Sequence, residues 1–127
     1  MITLNKVVKT ENAPGAIGPY SQGIDTGDLI FFSGQIALDP KTGKMAEGIE
    51  AQTHQVLKNI KGLLESQGLT FANVVKTTCF LENIDNFKLV NEIYAQYFVE
   101  PFPARSAVGI DRLPAGALLE IEVIAKK

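Results

Sequence analysis

The sequence predicts an α+β domain in which two helices pack on one face of a six-stranded sheet. Two amphipathic segments carry apolar residues at helical spacing, whereas six short segments are rich in β-branched or alternating apolar residues. The predicted order of elements is β-β-β-α-β-α-β-β. With 127 residues the chain is too short for two stable cores, so we expect one domain over residues 1–127.

The first three strands are predicted at residues 6–10, 20–26 and 29–33. Residues 12–19 between the first two strands form a loop, because two prolines and two glycines exclude both a helix and a central strand. The second and third strands read as a hairpin joined at Gly27 and Asp28.

The first helix is predicted at residues 49–67 and follows a surface turn at residues 38–43. Its apolar residues recur at helical spacing and form one buried stripe. The stripe consists of Thr53, Val56, Leu57, Ile60, Leu63 and Leu64. Gly68 is typical of the position just past the end of a helix.

A second helix is predicted after a strand at residues 74–82, beginning with a cap at Asp85 or Asn86 and running to Phe98. Prolines at positions 101 and 103 prevent its continuation. Its apolar stripe consists of Phe87, Val90, Tyr94 and Phe98.

The last two strands are predicted at residues 104–110 and 118–126. In the final strand alternate apolar residues share one face, yet the opposite face still carries Leu118 and Ile124 beside two glutamates. A sheet with helices on one side needs only one apolar face. The second apolar face therefore indicates burial against another subunit.

Composition excludes several classes of function. The net charge of −2 and the scattered lysines do not form the basic stripe of a nucleic-acid-binding protein, so no nucleic-acid partner is expected. One cysteine, Cys79, and one histidine, His54, allow neither an intramolecular disulfide nor a His/Cys metal site, and we expect no metal. No apolar run is long enough for a membrane span or a signal peptide, so a cytoplasmic protein is expected.

Arg105 is the strongest candidate for ligand binding. In a strand it shares its face with Ala107 and Gly109, and small neighbours leave room for a small molecule. The planar guanidinium suits a carboxylate because its donors form a fixed fork. The alternative is a structural ion pair with Glu120 or Glu122.

Other polar residues are candidates with a simpler alternative beside each. Glu120 and Glu122 lie on one strand face about 7 Å apart, either as an acid/base pair or as a solvated face. Their apolar neighbours favour a perturbed pKa. Tyr20 either supplies its phenolic hydroxyl to a site or is an ordinary half-buried aromatic residue. Ser33 and Gly34 follow an apolar strand, where they either belong to a site or form a turn.

Four stretches then make the sequence recognisable. They are Ala-Pro at 13–14 through Ala-Ile-Gly-Pro-Tyr-Ser-Gln at 16–22, Phe-Ser-Gly-Gln-Ile at 32–36 with Asp-Pro at 39–40 through Gly43, Pro-Ala-Arg-Ser at 103–106 with Val-Gly at 108–109, and Leu-Pro at 113–114 through Gly-Ala at 116–117 with Glu-Ile-Glu at 120–122. In this order and spacing they resemble the Rid family of imine and enamine deaminases over residues 11–126.

The resemblance implies a chorismate-mutase-like fold assembled as a homotrimer, with three ligand clefts between subunits. It implies that Arg105 binds the substrate carboxylate, that Glu120 places or activates water, and that Tyr20 contributes to catalysis beside it. The residues expected to bind substrate are Ser33, Gly34, Arg105, Ser106 and Ala107.

The implied activity is that of a 2-iminobutanoate/2-iminopropanoate deaminase that needs no cofactor. It would hydrolyse 2-aminoacrylate and 2-aminocrotonate to 2-oxo acids and ammonia, and so protect pyridoxal-phosphate enzymes. Deaminating relatives often carry cysteine where this chain has Ala107, which keeps the backbone N–H but not a thiol. The alternative is a non-catalytic protein that binds 2-oxo acids or similar carboxylates through Arg105.

Overall fold

The computed structural model describes residues 5–127. It contains six strands and two α-helices in the predicted order. The elements are β1 (Lys6–Val8), β2 (Gly23–Asp25), β3 (Leu29–Gln35), α1 (Ile49–Ser66), β4 (Val74–Leu81), α2 (Phe87–Tyr94), β5 (Ala104–Gly109) and β6 (Leu119–Lys126).

The six strands form one sheet in the order β1-β2-β3-β6-β4-β5. Neighbouring strands are antiparallel except β4 and β5, which are parallel and are connected through α2. Strand β5 lies at the end of the sheet, so one of its two edges has no neighbouring strand among the described residues.

Both helices cover the same face of the sheet, as predicted. The stripe predicted for α1 is buried throughout, and it packs on the inward face of β6. The inward residues of β6 are at most 1% exposed, namely Leu119, Ile121, Val123 and Ala125. The α+β class and the placement of the helices are therefore confirmed.

The opposite face of the sheet, which we call the outer face, is partly apolar and exposed. Phe31 and Val108 are 44% and 43% exposed there. Pairing across the sheet aligns Phe80 with Val108 and Glu120, and Phe31 with Ile124, so these side chains lie on one surface.

No helix within residues 5–127 is both long and apolar enough to cross a membrane.

The predicted strand at residues 20–26 is wrong in its first half. Gly18 has a positive φ of 132°, and the Tyr20 N–H donates to the Gly18 carbonyl, so the chain turns there. Only Gly23–Asp25 pairs as a strand. Tyr20 therefore lies on a loop three residues before the strand rather than at its start.

The second helix is shorter than predicted. It ends at Tyr94, and the chain continues to Phe98 in turns whose N–H groups bond to carbonyls three or four residues back. Neither the Asp85 nor the Asn86 side chain caps the N-terminus of the second helix. Instead the Asn83 side chain accepts a hydrogen bond from the Asp85 N–H, one turn earlier.

Candidate functional site

A cleft of about 460 Å³ opens beside the end of β3. Its walls come from the loop at residues 14–22, from residues 33–38 and from the turn Pro114–Gly116. It contains four of the predicted site residues, Tyr20, Ser33, Gly34 and Glu120. Residues far apart in sequence are thus gathered at one point by the pairing of β3 with β6.

A bulge places Ser33 and Gly34 in this cleft. The register between β3 and β6 shifts between Phe32 and Gln35, which takes the two residues out of the regular ladder. The Ser33 hydroxyl donates to the Ser21 carbonyl at 2.5 Å, and its backbone N–H donates to the Gln22 carbonyl at 2.9 Å. The hydroxyl proton is therefore already donated to the Ser21 carbonyl, so the Ser33 hydroxyl can interact with a further group only as a hydrogen-bond acceptor.

Glu120 is half-buried on the outer face of β6, directly against Gly34. Burial raises the pKa of its carboxyl above the ordinary value of 4.5, and the negative charge of Glu122 on the same face raises it further. The predicted perturbation of a glutamate pKa is thus found at Glu120. A carboxylate with a raised pKa is a better proton acceptor than a solvated one.

Tyr20 projects from the loop and is 52% exposed. Its phenolic oxygen accepts a hydrogen bond from the Ile17 N–H at 3.3 Å, which leaves the hydroxyl proton free to donate. The loop is fastened by the buried Gln22 amide, which donates to the carbonyls of Thr10 and Pro14 at 3.0 and 2.8 Å. Gln22 therefore fixes one wall of the cleft.

Arg105 lies elsewhere, on the helix side of β5. Its Nη1 donates to Asn91 Oδ1 at 2.8 Å, and its guanidinium carbon lies 4.9 Å from the ring centroids of both Phe87 and Tyr94. The alternative of a structural ion pair with Glu120 or Glu122 is wrong, because the one salt bridge within residues 5–127 joins Lys127 to Asp25.

Ser106 and Ala107 follow Arg105 on opposite faces of β5. The Ser106 hydroxyl faces outward and accepts a hydrogen bond from Lys76 Nζ at 2.8 Å. Ala107 is half-buried against the core on the Arg105 side. The Ile110 N–H bonds to the Leu81 carbonyl of β4, and alternate residues of a parallel strand point the same way. The N–H of Ala107 therefore points to the free edge of β5.

Sequence reasoning missed the residues that hold Arg105. The sequence pattern gives Asn91 no role, and it places Phe87 and Tyr94 only in the apolar stripe of α2. Their spacing at i, i+4 and i+7 on one helix face was the available signal. Their contact with Arg105 depends on how α2 crosses over β5, which is a tertiary feature.

Neither Cys79 nor His54 lines the cleft. Cys79 is fully buried, and burial raises the pKa of its thiol to about 11. The His54 ring lies on α1 with Nδ1 2.7 Å from the Tyr97 hydroxyl. Across residues 5–127, no three His, Cys, Asp or Glu side chains are grouped so that they could hold a metal.

Comparison with known proteins identifies the family. A family model described as endoribonuclease L-PSP matches residues 10–127. The 2-iminobutanoate/2-iminopropanoate deaminase of Salmonella typhimurium is 48% identical over 125 residues, covering 96% of this chain and 98% of that protein. This chain belongs to the Rid family.

Rid relatives of similar identity carry different names. The RutC family protein PH0854 of Pyrococcus horikoshii is 50% identical over 125 residues, covering 98% of this chain and 99% of that protein. Among solved structures, Escherichia coli TdcF with bound serine superposes with a TM-score of 0.91 at 38% identity, covering 96% and 98% of the two chains. The Rid fold implied by the sequence motifs is thus confirmed.

Proposed function

We propose that this Rid protein hydrolyses 2-imino acids to 2-oxo acids and ammonia, in clefts formed between subunits of a homotrimer. The observation that carries the proposal is the separation of Arg105 from Glu120. Arg105 lies on the helix side of β5, Glu120 lies on the outer face of β6, and β4 runs between those strands. Their strands are two strand spacings, about 10 Å, apart. Arg105 is in register with Val123 of β6, three residues along the strand from Glu120, and the two side chains lie on opposite sides of the sheet.

A second copy of the chain would bring the two halves together. The free edge of β5 presents the Arg105 guanidinium and the Ala107 N–H, whereas the cleft presents Glu120, Tyr20 and Ser33. The exposed apolar outer face provides area for subunit contact. A cyclic trimer joins one half-site of each subunit to the other half-site of its neighbour, so three complete clefts result.

In the proposed site Arg105 and the Ala107 N–H bind the substrate carboxylate. Charge-assisted hydrogen bonds to a carboxylate are stronger than neutral ones, and the guanidinium fork fixes the orientation of the carboxylate plane. The backbone donor does not depend on the side chain at position 107. Alanine in place of the family's frequent cysteine therefore keeps this contact.

The hydrolysis needs a water and an acceptor for its proton. Glu120, with its raised pKa, accepts a proton from the water as the oxygen attacks the C=N carbon of the protonated imine. The Tyr20 hydroxyl donates a hydrogen bond at the reacting centre, and Ser33 accepts one. The carbinolamine then transfers its hydroxyl proton to the amine, the C–N bond breaks, and ammonia and a 2-oxo acid leave.

No cofactor is part of this proposal, because a protonated imine is already electrophilic. Positioning together with acid/base catalysis of about 10²–10⁴-fold suffices for a reaction that proceeds unaided in water. The substrates are 2-aminoacrylate and 2-aminocrotonate with their imine tautomers, and their removal protects pyridoxal-phosphate enzymes. We place this activity in the cytoplasm, without a nucleic-acid or membrane partner.

The comparisons support this choice of chemistry. The Salmonella relative bears the name of an enzyme acting on 2-iminobutanoate and 2-iminopropanoate. The TdcF crystal holds serine, an amino acid whose carboxylate and 2-nitrogen match those of a 2-imino acid. The rival proposal, a carboxylate-binding protein without turnover, shares Arg105 but does not use the raised pKa of Glu120.

A coupled assay tests the proposal. Threonine dehydratase generates 2-aminocrotonate from threonine, and semicarbazide traps the imine that is not hydrolysed. We expect the wild-type protein to suppress semicarbazone formation, Arg105→Ala to lose the suppression, and the matched control Arg112→Ala to retain it. Binding of 2-oxobutanoate without any suppression would favour the non-catalytic binding protein.

A further inference from the structure

Among residues 5–127, the groups that contact the guanidinium of Arg105 are neutral. Asn91 Oδ1 accepts from Nη1 at 2.8 Å, and the rings of Phe87 and Tyr94 lie 4.9 Å from the guanidinium carbon. No carboxylate within residues 5–127 forms an ion pair with it. We call Phe87, Asn91 and Tyr94 the neutral cage.

The residues of the neutral cage are held in place by their common helix and by contacts of Tyr94 with other side chains. Its three residues project from one face of α2 at i, i+4 and i+7. The Tyr94 hydroxyl is 2.9 Å from the buried Thr77 hydroxyl, and its ring stacks on Phe98 with centroids 4.2 Å apart. A guanidinium resting on these groups has few alternative positions.

We propose that Asn91 is a positioning residue that, with the two rings, holds Arg105 without neutralising its charge. A carboxylate in the same place would fix the side chain equally well but would compensate the positive charge. An amide oxygen satisfies one N–H and leaves the net charge of the guanidinium for a ligand carboxylate. The inference deepens the proposed function and rests on Arg105 being the carboxylate-binding residue.

The rings complete this arrangement. Aromatic faces attract a cation through their quadrupole and carry no charge of their own. The rings lie against the face of the guanidinium, whereas hydrogen-bond acceptors approach its N–H groups in the plane of the group. The donors not used by Asn91 are thus left for an incoming carboxylate, next to the Ala107 N–H at the free edge of β5.

Asn91→Asp separates positioning from charge. The aspartate keeps an oxygen acceptor for Nη1 but adds a negative charge beside the bound carboxylate, so we expect KM to rise about tenfold or more. The melting temperature should be unchanged or higher, and kcat should stay within about twofold, because Glu120 and its water are untouched. Asn86→Asp is the matched control, since it adds the same charge at the start of α2 without contacting Arg105, and its KM should equal that of the wild type.

A second variant and a second measurement keep the inference distinct from the proposed function. Asn91→Ser, with a shorter oxygen acceptor, should raise KM less than Asn91→Asp although it is the less stable protein. Calorimetric titration with 2-oxobutanoate measures the same ranking without turnover. Binding that follows this ranking in a protein without deaminase activity would retain the neutral cage and reject the deaminase.

Two results would overturn the neutral cage. One is an Asn91→Asp protein whose KM and 2-oxobutanoate affinity equal those of the wild type, while Arg105→Ala has lost both. The other is a wild-type protein that neither turns over the imine nor binds 2-oxobutanoate, which would reject the proposed function as well.

Discussion

The carboxylate of Glu120 occupies the space where a side chain at Gly34 would begin. A Cβ built on Gly34 would lie 2.9 Å from the carboxyl carbon of Glu120 and closer still to Oε2. Gly34 belongs to the bulge of β3, and Glu120 belongs to the neighbouring strand β6. The absence of a side chain at position 34 thus lets the carboxylate lie flat against the backbone at the floor of the cleft.

Gly34→Ala should therefore damage the site more than the fold. The methyl group pushes the Glu120 carboxylate away from its position, and a displacement of about 1 Å in a catalytic group costs on the order of 10²-fold in rate. We expect kcat/KM in the semicarbazide assay to fall by about that factor. Gly27→Ala is the control, because its φ of 113° makes alanine strained there but the turn lies far from the cleft. It should lower the melting temperature and keep the specific activity.

The activity should fall at acidic pH, where Glu120 becomes protonated. Its raised pKa places the acidic limb of kcat/KM above pH 4.5. Because the charge of Glu122 contributes to the rise, Glu122→Gln should move this limb to lower pH without removing it, since burial is the larger cause. Glu65→Gln, on the remote helix α1, should leave the profile unchanged. An acidic limb that does not move in Glu122→Gln would contradict the assignment of that limb to Glu120.

The ion pair between Asp25 and Lys127 should contribute stability that depends on pH. The Lys127 ammonium, 2.9 Å away, and the Gly27 N–H lower the pKa of the Asp25 carboxyl below 3.8. A lowered folded-state pKa gives stability that is present above pH 3.8 and lost as the pH falls through the folded-state value. Urea unfolding should show Asp25→Asn less stable than the wild type at pH 7, and the difference should disappear as the pH falls through the lowered folded-state pKa, because Asp25 is then protonated in both the folded and the unfolded chain.

Cys79 should be unreactive in the folded protein. It is fully buried in β4, and its thiol has a pKa of about 11, so the thiolate that reacts with alkylating agents is scarce at pH 7. Mass spectrometry after iodoacetamide treatment should show no modification of the native protein and complete modification in urea. Rapid modification under native conditions, with activity lost in parallel, would instead place the thiol in an accessible site.

The fold was predictable where one periodic pattern dominates a segment. The stripe from Thr53 to Leu64 has a single helical period, and the observed helix, Ile49–Ser66, ends one residue before the predicted limit. The predicted range of the second helix is too long because Phe98 continues the apolar spacing of the helix. In the structure the backbone turns after Tyr94, and the Phe98 ring stacks on the Tyr94 ring. Apolar spacing records burial and does not distinguish a helix from a turn that buries the same side chain.

The candidate site was predictable in its members more than in its arrangement. Apolar neighbours on the last strand favoured a perturbed pKa for the pair Glu120 and Glu122, the resemblance to the Rid family singled out Glu120, and the raised pKa is found at Glu120. The separation of Arg105 from Glu120 could not be read from their strands. The separation depends on the position of β4 between β5 and β6, which is determined by pairing between strands that are distant in sequence. The contact of Asn91 with Arg105 has the same origin.

The central claim is that one cleft takes Arg105 from one subunit and Glu120 from another. Arg105→Ala and Glu120→Gln chains, each inactive alone, should regain activity when they are co-expressed with different tags and purified as mixed oligomers. Random mixing in equal amounts should restore about one quarter of the wild-type activity, because one pairing in four joins an intact Arg105 to an intact Glu120 across a cyclic interface. No recovered activity in mixed oligomers of confirmed composition would contradict the claim and require both residues to act within one chain.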